Sequence, residues 1–187
     1  MGNANGMVCL MFILQIPQNI VDYCRQILRE NSFGRRGIAD GNPSEQLRGI
    51  VAQSVIMDSL GMPLIESKGF DGGVDLIWNK KRYDIKSMGR NCDPKPYFVN
   101  NLIGLQKDYD VDRYIFCSIN RQKMNLTICG WIDKKEFYNK AKFFPQGTTR
   151  KRDDQSTFIT KADLYELPNS ELNQSNDIWE FINQLNK

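Results

Sequence analysis

Three side chains in the stretch GFDGGVDLIWNKKRYDIKS, residues 69–87, have the types and spacing for metal-assisted hydrolysis: Asp75, Asp84 and Lys86. Asp75 lies in the apolar run Val74 to Trp78 and Asp84 in the run Tyr83 to Ile85, where an acid is out of place in a buried strand. Side chains alternate faces along a strand, so Asp84 and Lys86 share a face, about 7 Å apart at ~3.3 Å per residue, and Ile85 points away. A hairpin turning on Asn79-Lys80 makes Trp78 face Lys81 and, counting outward, sets Asp75 opposite Asp84. Cross-strand neighbours have Cβ atoms roughly 4.5–5.5 Å apart and like charges there are destabilising, so facing carboxylates imply a cation between them. A four-residue loop keeps this register and a three-residue loop breaks it. Asn-Lys is a poorer turn pair than Asn-Gly, because the second position wants positive φ.

Phosphodiester cleavage needs a nucleophilic water, neutralised charge at the pentavalent centre and a stabilised leaving oxygen. Carboxylate-held Mg²⁺ (or Mn²⁺) supplies these by Lewis acidity and by lowering the pKa of bound water. Magnesium prefers oxygen ligands and retains waters, so Asp75, Asp84 and a main-chain carbonyl, with Ile85 the candidate, suffice. Lys86 beside such an ion is expected to have a depressed pKa, which suits water activation. The chain contains no histidine, which excludes Ser-His-Asp and Cys-His catalysis, His-ligated metals and HExxH sites. Its five cysteines are odd in number and lack CxxC spacing, so they suggest neither a disulfide framework nor a zinc site.

Those residues sit in a chain of 187 residues, long enough for one domain with a real core. The hydrophobic fraction of 41% and charged fraction of 25% are those of a soluble globular protein. Net charge is +3, unevenly spread: residues 153–187 hold seven acids and two bases (−5), and residues 1–152 hold 15 acids and 23 bases (+8). A polyanionic partner fits the basic part. Met7 to Ile16 is apolar but lacks a basic flank, a cleavage site and the length to span a bilayer, so the expectation is a cytoplasmic protein without a membrane partner.

Along the chain, residues 1–6 read as a flexible leader. Val8 to Ile16 is either a buried strand or the lead-in to a helix that starts at Pro17 and runs to about Arg29. Residues 31–42 form a basic loop with Arg35 and Arg36. Pro43-Ser44 opens a second helix that Gly61 stops. Pro63 to Glu66 is a short strand, the hairpin occupies about 73–87, and 88–96 is an irregular connection containing Arg90. Phe98 to Tyr109 is a helix carrying Gln106 and Lys107. Tyr114 to Ile119 and Leu126 to Ile132 are strands, after which Asp133 caps a helix to about Lys142. Residues 146–156 are a loop with the cluster Arg150, Lys151 and Arg152. Phe158 to Leu167 adds an edge strand or arm, and Ile178 to Leu185 a terminal amphipathic helix. The acidic segment 153–187 is an extension packing on the core, and the whole is α/β with a central mixed sheet flanked by helices.

The pattern D-x8-D-x-K on a hairpin that follows a long helix, approached through GVD, resembles the restriction-endonuclease-like (PD-(D/E)XK) nuclease superfamily. The resemblance covers residues 43–132. It implies a restriction-endonuclease-like core and a Mg²⁺-dependent deoxyribonuclease, a restriction- or resolvase-like endonuclease. Asp75 and Asp84 would then be the metal ligands and Lys86 the residue that orients or deprotonates the water. The family usually adds an acid from the preceding helix, and in RGIVAQSVIMDSLG that position holds Gln53. Glu45 lies eight residues earlier, about 80° around the helix and roughly 12 Å along it. Gln106, with Lys107 beside it, falls where many members carry a polar residue on the next helix. Basic contacts to DNA are expected from Arg35, Arg36, Lys80, Lys81, Arg90, Gln106, Lys107, Arg150, Lys151 and Arg152. Many enzymes of this fold cut both strands as homodimers, which leaves a dimer open.

Plainer readings stand beside this one. Asp75 and Asp84 are also explained as acids on a solvated face, Lys86 as the ion-pair partner of Asp84, Gln53 as a surface residue, and Glu45 as an acid at the helix N-terminus. Two other functions follow from these: a DNA-binding protein that has lost turnover at Gln53, and a protein-interaction module using the acidic tail.

Overall fold

A computed structural model describes residues 10–31, 42–66, 72–151 and 155–187. Strand β1 (Phe12–Gln15) leads into helix α1 (Gln18–Glu30), which buries Ile20, Val21, Cys24 and Ile27 along one helical stripe. Helix α2 (Pro43–Ser59) begins with a reciprocal capping box: the Asn42 side chain accepts from Glu45 N–H, and the Glu45 carboxylate accepts from Asn42 N–H. Two short helices follow later, α3 (Lys134–Lys140) and α4 (Ile178–Leu185).

The central sheet has the strand order β1, β6 (Asn125–Asp133), β5 (Arg113–Asn120), β3 (Lys81–Arg90), β2 (Leu76–Trp78). Only the β3–β5 pair is parallel, so the sheet is mixed, and helices flank it. All eight residues of β5 are buried, which is why YIFCSI reads as a nearly continuous apolar run. Alternation along β3 and β5 divides the core. Tyr83, Ile85, Ile115 and Cys117 pack with α1, α2 and α4, whereas Tyr114 and Phe116 pack with Phe137 of α3. The second face also carries a three-stranded antiparallel sheet of β4 (Val99–Ile103), β10 (Leu164–Pro168) and β7 (Lys142–Phe144). The β5–β6 ladder bulges between Phe116 and Cys117. Nearby, Gly130 (φ +141°) lets the Asn173 carbonyl approach to where a Cβ would lie 2.6 Å away.

Five sequence expectations are corrected. Phe98 to Tyr109 is β4 followed by a 3₁₀ turn at Gly104–Asp108, not a helix. Asn100 and Leu102 point inward at period two, and pairing with distant β10 outweighs local helix preference. Pro63 to Glu66 is extended but joins no ladder; its Ile65 carbonyl accepts from the Tyr23 hydroxyl of α1 at 2.7 Å. Residues 146–156 include β8 (Thr149–Lys151), which pairs with β9 (Thr157–Ile159) as a two-stranded arm, and β10 is a central strand rather than an edge. Asp133 starts α3 by position only, because its carboxylate bonds Arg113 Nε at 2.9 Å. Residues 155–187 contribute β10 to the second sheet and Phe181 and Leu185 of α4 to the first core.

Candidate active site

The hairpin turns on Asn79 and Lys80, with φ of +47° and +65°, and pairs Trp78 with Lys81, Ile77 with Arg82 and Leu76 with Tyr83. That is the two-residue register expected from the sequence. A lysine tolerates the left-handed position here because α4 braces the turn. Trp78 Nε1 donates to Asn186 Oδ1 at 2.9 Å and Asn79 Nδ2 to the Asn186 carbonyl at 3.0 Å.

Strand β2 ends at Leu76, but β3 continues for several residues. Asp75 leaves the ladder with its own N–H on the Tyr83 carbonyl at 2.9 Å. Its carboxylate then accepts the Ile85 N–H at 2.6 Å, filling the place that the missing β2 residue would have taken. Ile85 directs its N–H and C=O to the same edge of the strand, so its carbonyl opens on the side occupied by Asp75. Gln53 of α2 donates its side-chain amide to the Asp75 carbonyl at 2.6 Å. The helix position singled out by the family resemblance therefore touches Asp75 through its main chain.

Asp84 is 1% exposed and its Oδ1 lies 2.7 Å from Lys86 Nζ, whose side chain is 26% exposed. A solvated-face reading fails for Asp84. Burial acts to lower the Lys86 pKa, yet the Asp84 and Asp75 carboxylates outweigh it and hold the ammonium above its ordinary value. With two carboxylates and one ammonium the cluster carries a net charge of −1. This donor set of hard oxygens fits a hard divalent ion that keeps some of its waters. Among the described residues no group of three or more acids and cysteines gathers to hold a metal, so carbonyl and water oxygens would complete any such shell.

Three tyrosines wall the acids. Gly73 (φ +86°) admits the Tyr109 ring to where a Cβ would lie 2.3 Å from Cδ2, and the Tyr109 phenol contributes to the field on Lys86. Tyr114 is the β5 register partner of Asp84, and its hydroxyl lies 3.4 Å from that of Tyr138. Burial pushes the Tyr114 phenol well up and the Tyr138 phenol to about 12, with the Asp84 charge adding to both. Neither Tyr109 nor Tyr114 is legible from local sequence, since each reaches the acids through a neighbouring segment.

The expected DNA-contacting residues are scattered. Arg35, Arg36 and Arg152 lie outside the described residues. Lys80 is exposed and Lys81 half-buried at the hairpin tip. Arg90 ends β3, its guanidinium 4.4 Å from the Phe98 ring centroid. Gln106 uses its side-chain oxygen to accept Ile103 N–H, and Lys107 stands 5.6 Å from the Tyr138 ring. Arg150 is bonded to buried Glu166 and stacked 3.7 Å over Phe144, so it supports the arm, whereas Lys151 is exposed. Arg48 and Arg121, which the sequence reading passed over, line a groove beside the end of β3.

Compared with known proteins, the chain matches no family model, no curated protein and no solved structure. Among the described residues no helix is long and apolar enough to cross a membrane.

Proposed function

We propose that this protein is a metal-dependent nuclease acting on DNA, built on a restriction-endonuclease-like core. The observation that carries the reading is buried Asp84 paired with half-buried Lys86, with Asp75 held beside them at the point where β2 stops. Taking a carboxylate out of water is costly, and a buried acid beside a half-buried lysine and a second acid, of net charge −1 together, is more simply explained as a site than as scaffolding. Asp75, Asp84 and the Ile85 carbonyl would hold Mg²⁺ or Mn²⁺, which when bound supplies Lewis acidity and a more acidic bound water. Lys86, kept protonated by the two acids, donates to the attacking water or to a phosphoryl oxygen. Gln53 fixes the main chain at Asp75 and so aims its carboxylate.

The test is cleavage of duplex, single-stranded and branched DNA with and without Mg²⁺ or Mn²⁺. Metal-dependent products that vanish in the Asp75→Asn, Lys86→Ala double variant are expected; undiminished cleavage by that variant removes the reading. A DNA-binding protein without turnover is the second reading. It is favoured by Gln53, whose amide serves Asp75 as a brace where an acid would serve as a ligand. It predicts salt-dependent DNA binding with no cleavage under any of these conditions.

A further inference from the structure

Among the described residues no strand pairs with β3 beyond Lys86 on the β2 side, and a groove of about 630 Å³ lies beside that edge. Its charged lining residues are Arg48 from α2, Arg90 at the end of β3, Arg121 from the β5–β6 turn, and Glu45. Arg90 shares a face with Asp84 and Lys86, because residues four and six apart on a strand point the same way. Arg48 lies across Gly89, where a Cβ would sit 2.6 Å from its Nε, so the absent side chain is what lets this arginine reach the strand edge.

Each guanidinium is oriented by few protein contacts. Arg48 donates to Ser44 Oγ at 2.8 Å and stands 3.9 Å from Glu45; Arg121 donates to the Gly89 carbonyl at 3.2 Å. One nitrogen of Arg90 reaches the Val99 carbonyl at 3.2 Å and Met88 sulfur at 3.1 Å. A guanidinium has five donors, so most remain for a ligand with several acceptor oxygens. The Glu45 carboxylate faces the groove too, but it is tied to Asn42 N–H in the capping box, and the lining keeps a net charge of +2.

We propose that Arg48 and Arg121, which meet at Gly89, bind a backbone phosphate of the DNA strand whose scissile phosphate sits at Asp84 and Lys86. This deepens, and rests on, the nuclease reading. Three to four strand residues separate Lys86 from Gly89 and Arg90, about 10–13 Å. Measured along the axis of a duplex, with a rise of about 3.4 Å per nucleotide of one strand, that distance spans roughly three to four nucleotides.

The experiment is fluorescence anisotropy with a fluorescein-labelled duplex in EDTA across a KCl series, beside single-turnover cleavage at saturating protein with Mg²⁺. The Arg48→Ala, Arg121→Ala variant is expected to bind about tenfold more weakly at low salt. Its salt slope falls by about one, as for loss of one phosphate contact, and its cleavage rate at saturation stays that of the parent. Arg121→Glu, at an exposed turn position, repeats the loss if the double variant does not fold, and Arg121→Lys retains most of the binding. Affinity and salt slope equal to the parent in folded variants overturn the proposal. If the parent does not cleave and the variants still lose binding, the groove stands and the nuclease reading falls. If the parent cleaves and the variants bind as it does, the groove alone falls.

Discussion

The Asp75 carboxylate accepts the main-chain N–H of Ile85 at 2.6 Å, standing in for a strand that begins only at the next residue, Leu76. This one bond turns a strand end into a site. It holds an acid against the open edge of β3, one residue from Asp84, and leaves the Ile85 carbonyl on the same side. The consequences for the surrounding residues can be measured.

Removing Lys86 takes the ammonium away from Asp84 in a nearly dry place. Lys86→Met is expected to lower stability by about 3 kcal/mol, somewhat less than a fully buried pair because the lysine keeps a quarter of its exposure. Adding Asp84→Asn recovers most of the loss. Urea midpoints of the single and double variants measure both.

The same pair predicts a pH dependence. The folded-state pKa of Lys86 is raised above its ordinary 10.5, so its contribution is complete below that value and is lost as pH rises through the folded pKa. The parent therefore loses its advantage over Lys86→Met only above about pH 10.5. The raised Tyr83 and Tyr114 phenols act in both proteins and cancel in the comparison.

Gln53→Glu replaces a donor to the Asp75 carbonyl with an acceptor and adds a third carboxylate. A loss of about 1–3 kcal/mol is expected in EDTA. Mg²⁺ should reverse that loss more strongly than it stabilises the parent, read as the shift of the melting midpoint on titration. Equal Mg²⁺ shifts in the two proteins count against a metal between these acids.

Gly73→Ala meets both a positive φ and the Tyr109 ring. A cost of about 2–4 kcal/mol is expected. Tyr109→Ala in the same chain relieves the collision and leaves roughly 1 kcal/mol of backbone strain, so a denaturation cycle separates the two causes.

Lys80→Gly relieves a left-handed lysine at φ +65° and is expected to stabilise the hairpin by about 0.5–1 kcal/mol. The salt slope of DNA binding in that variant reports whether the hairpin tip reaches a phosphate.

Local residue order by itself determined the chemistry available and much of the local frame. Two acids within apolar runs, a lysine two residues on, and the absence of histidine restrict hydrolysis to carboxylate, lysine and metal, and Asn79-Lys80 between matched runs sets the hairpin register. Helices α1, α2 and α4 are likewise legible, because their apolar residues recur at helical spacing and Pro43-Ser44 and Gly61 punctuate α2. Tertiary structure alone decided the rest. Phe98 to Tyr109 became a strand because β10, sixty residues away, offered it a ladder, and no local window contains that partner. Asp75 met Ile85 rather than simply facing Asp84 because β2 stopped short, and Gln53 touched Asp75 by its main chain because of how α2 crosses the sheet. Arg48 of α2 and Arg121 of the β5–β6 turn meet at Gly89 of β3, a meeting set by packing that residue spacing does not encode.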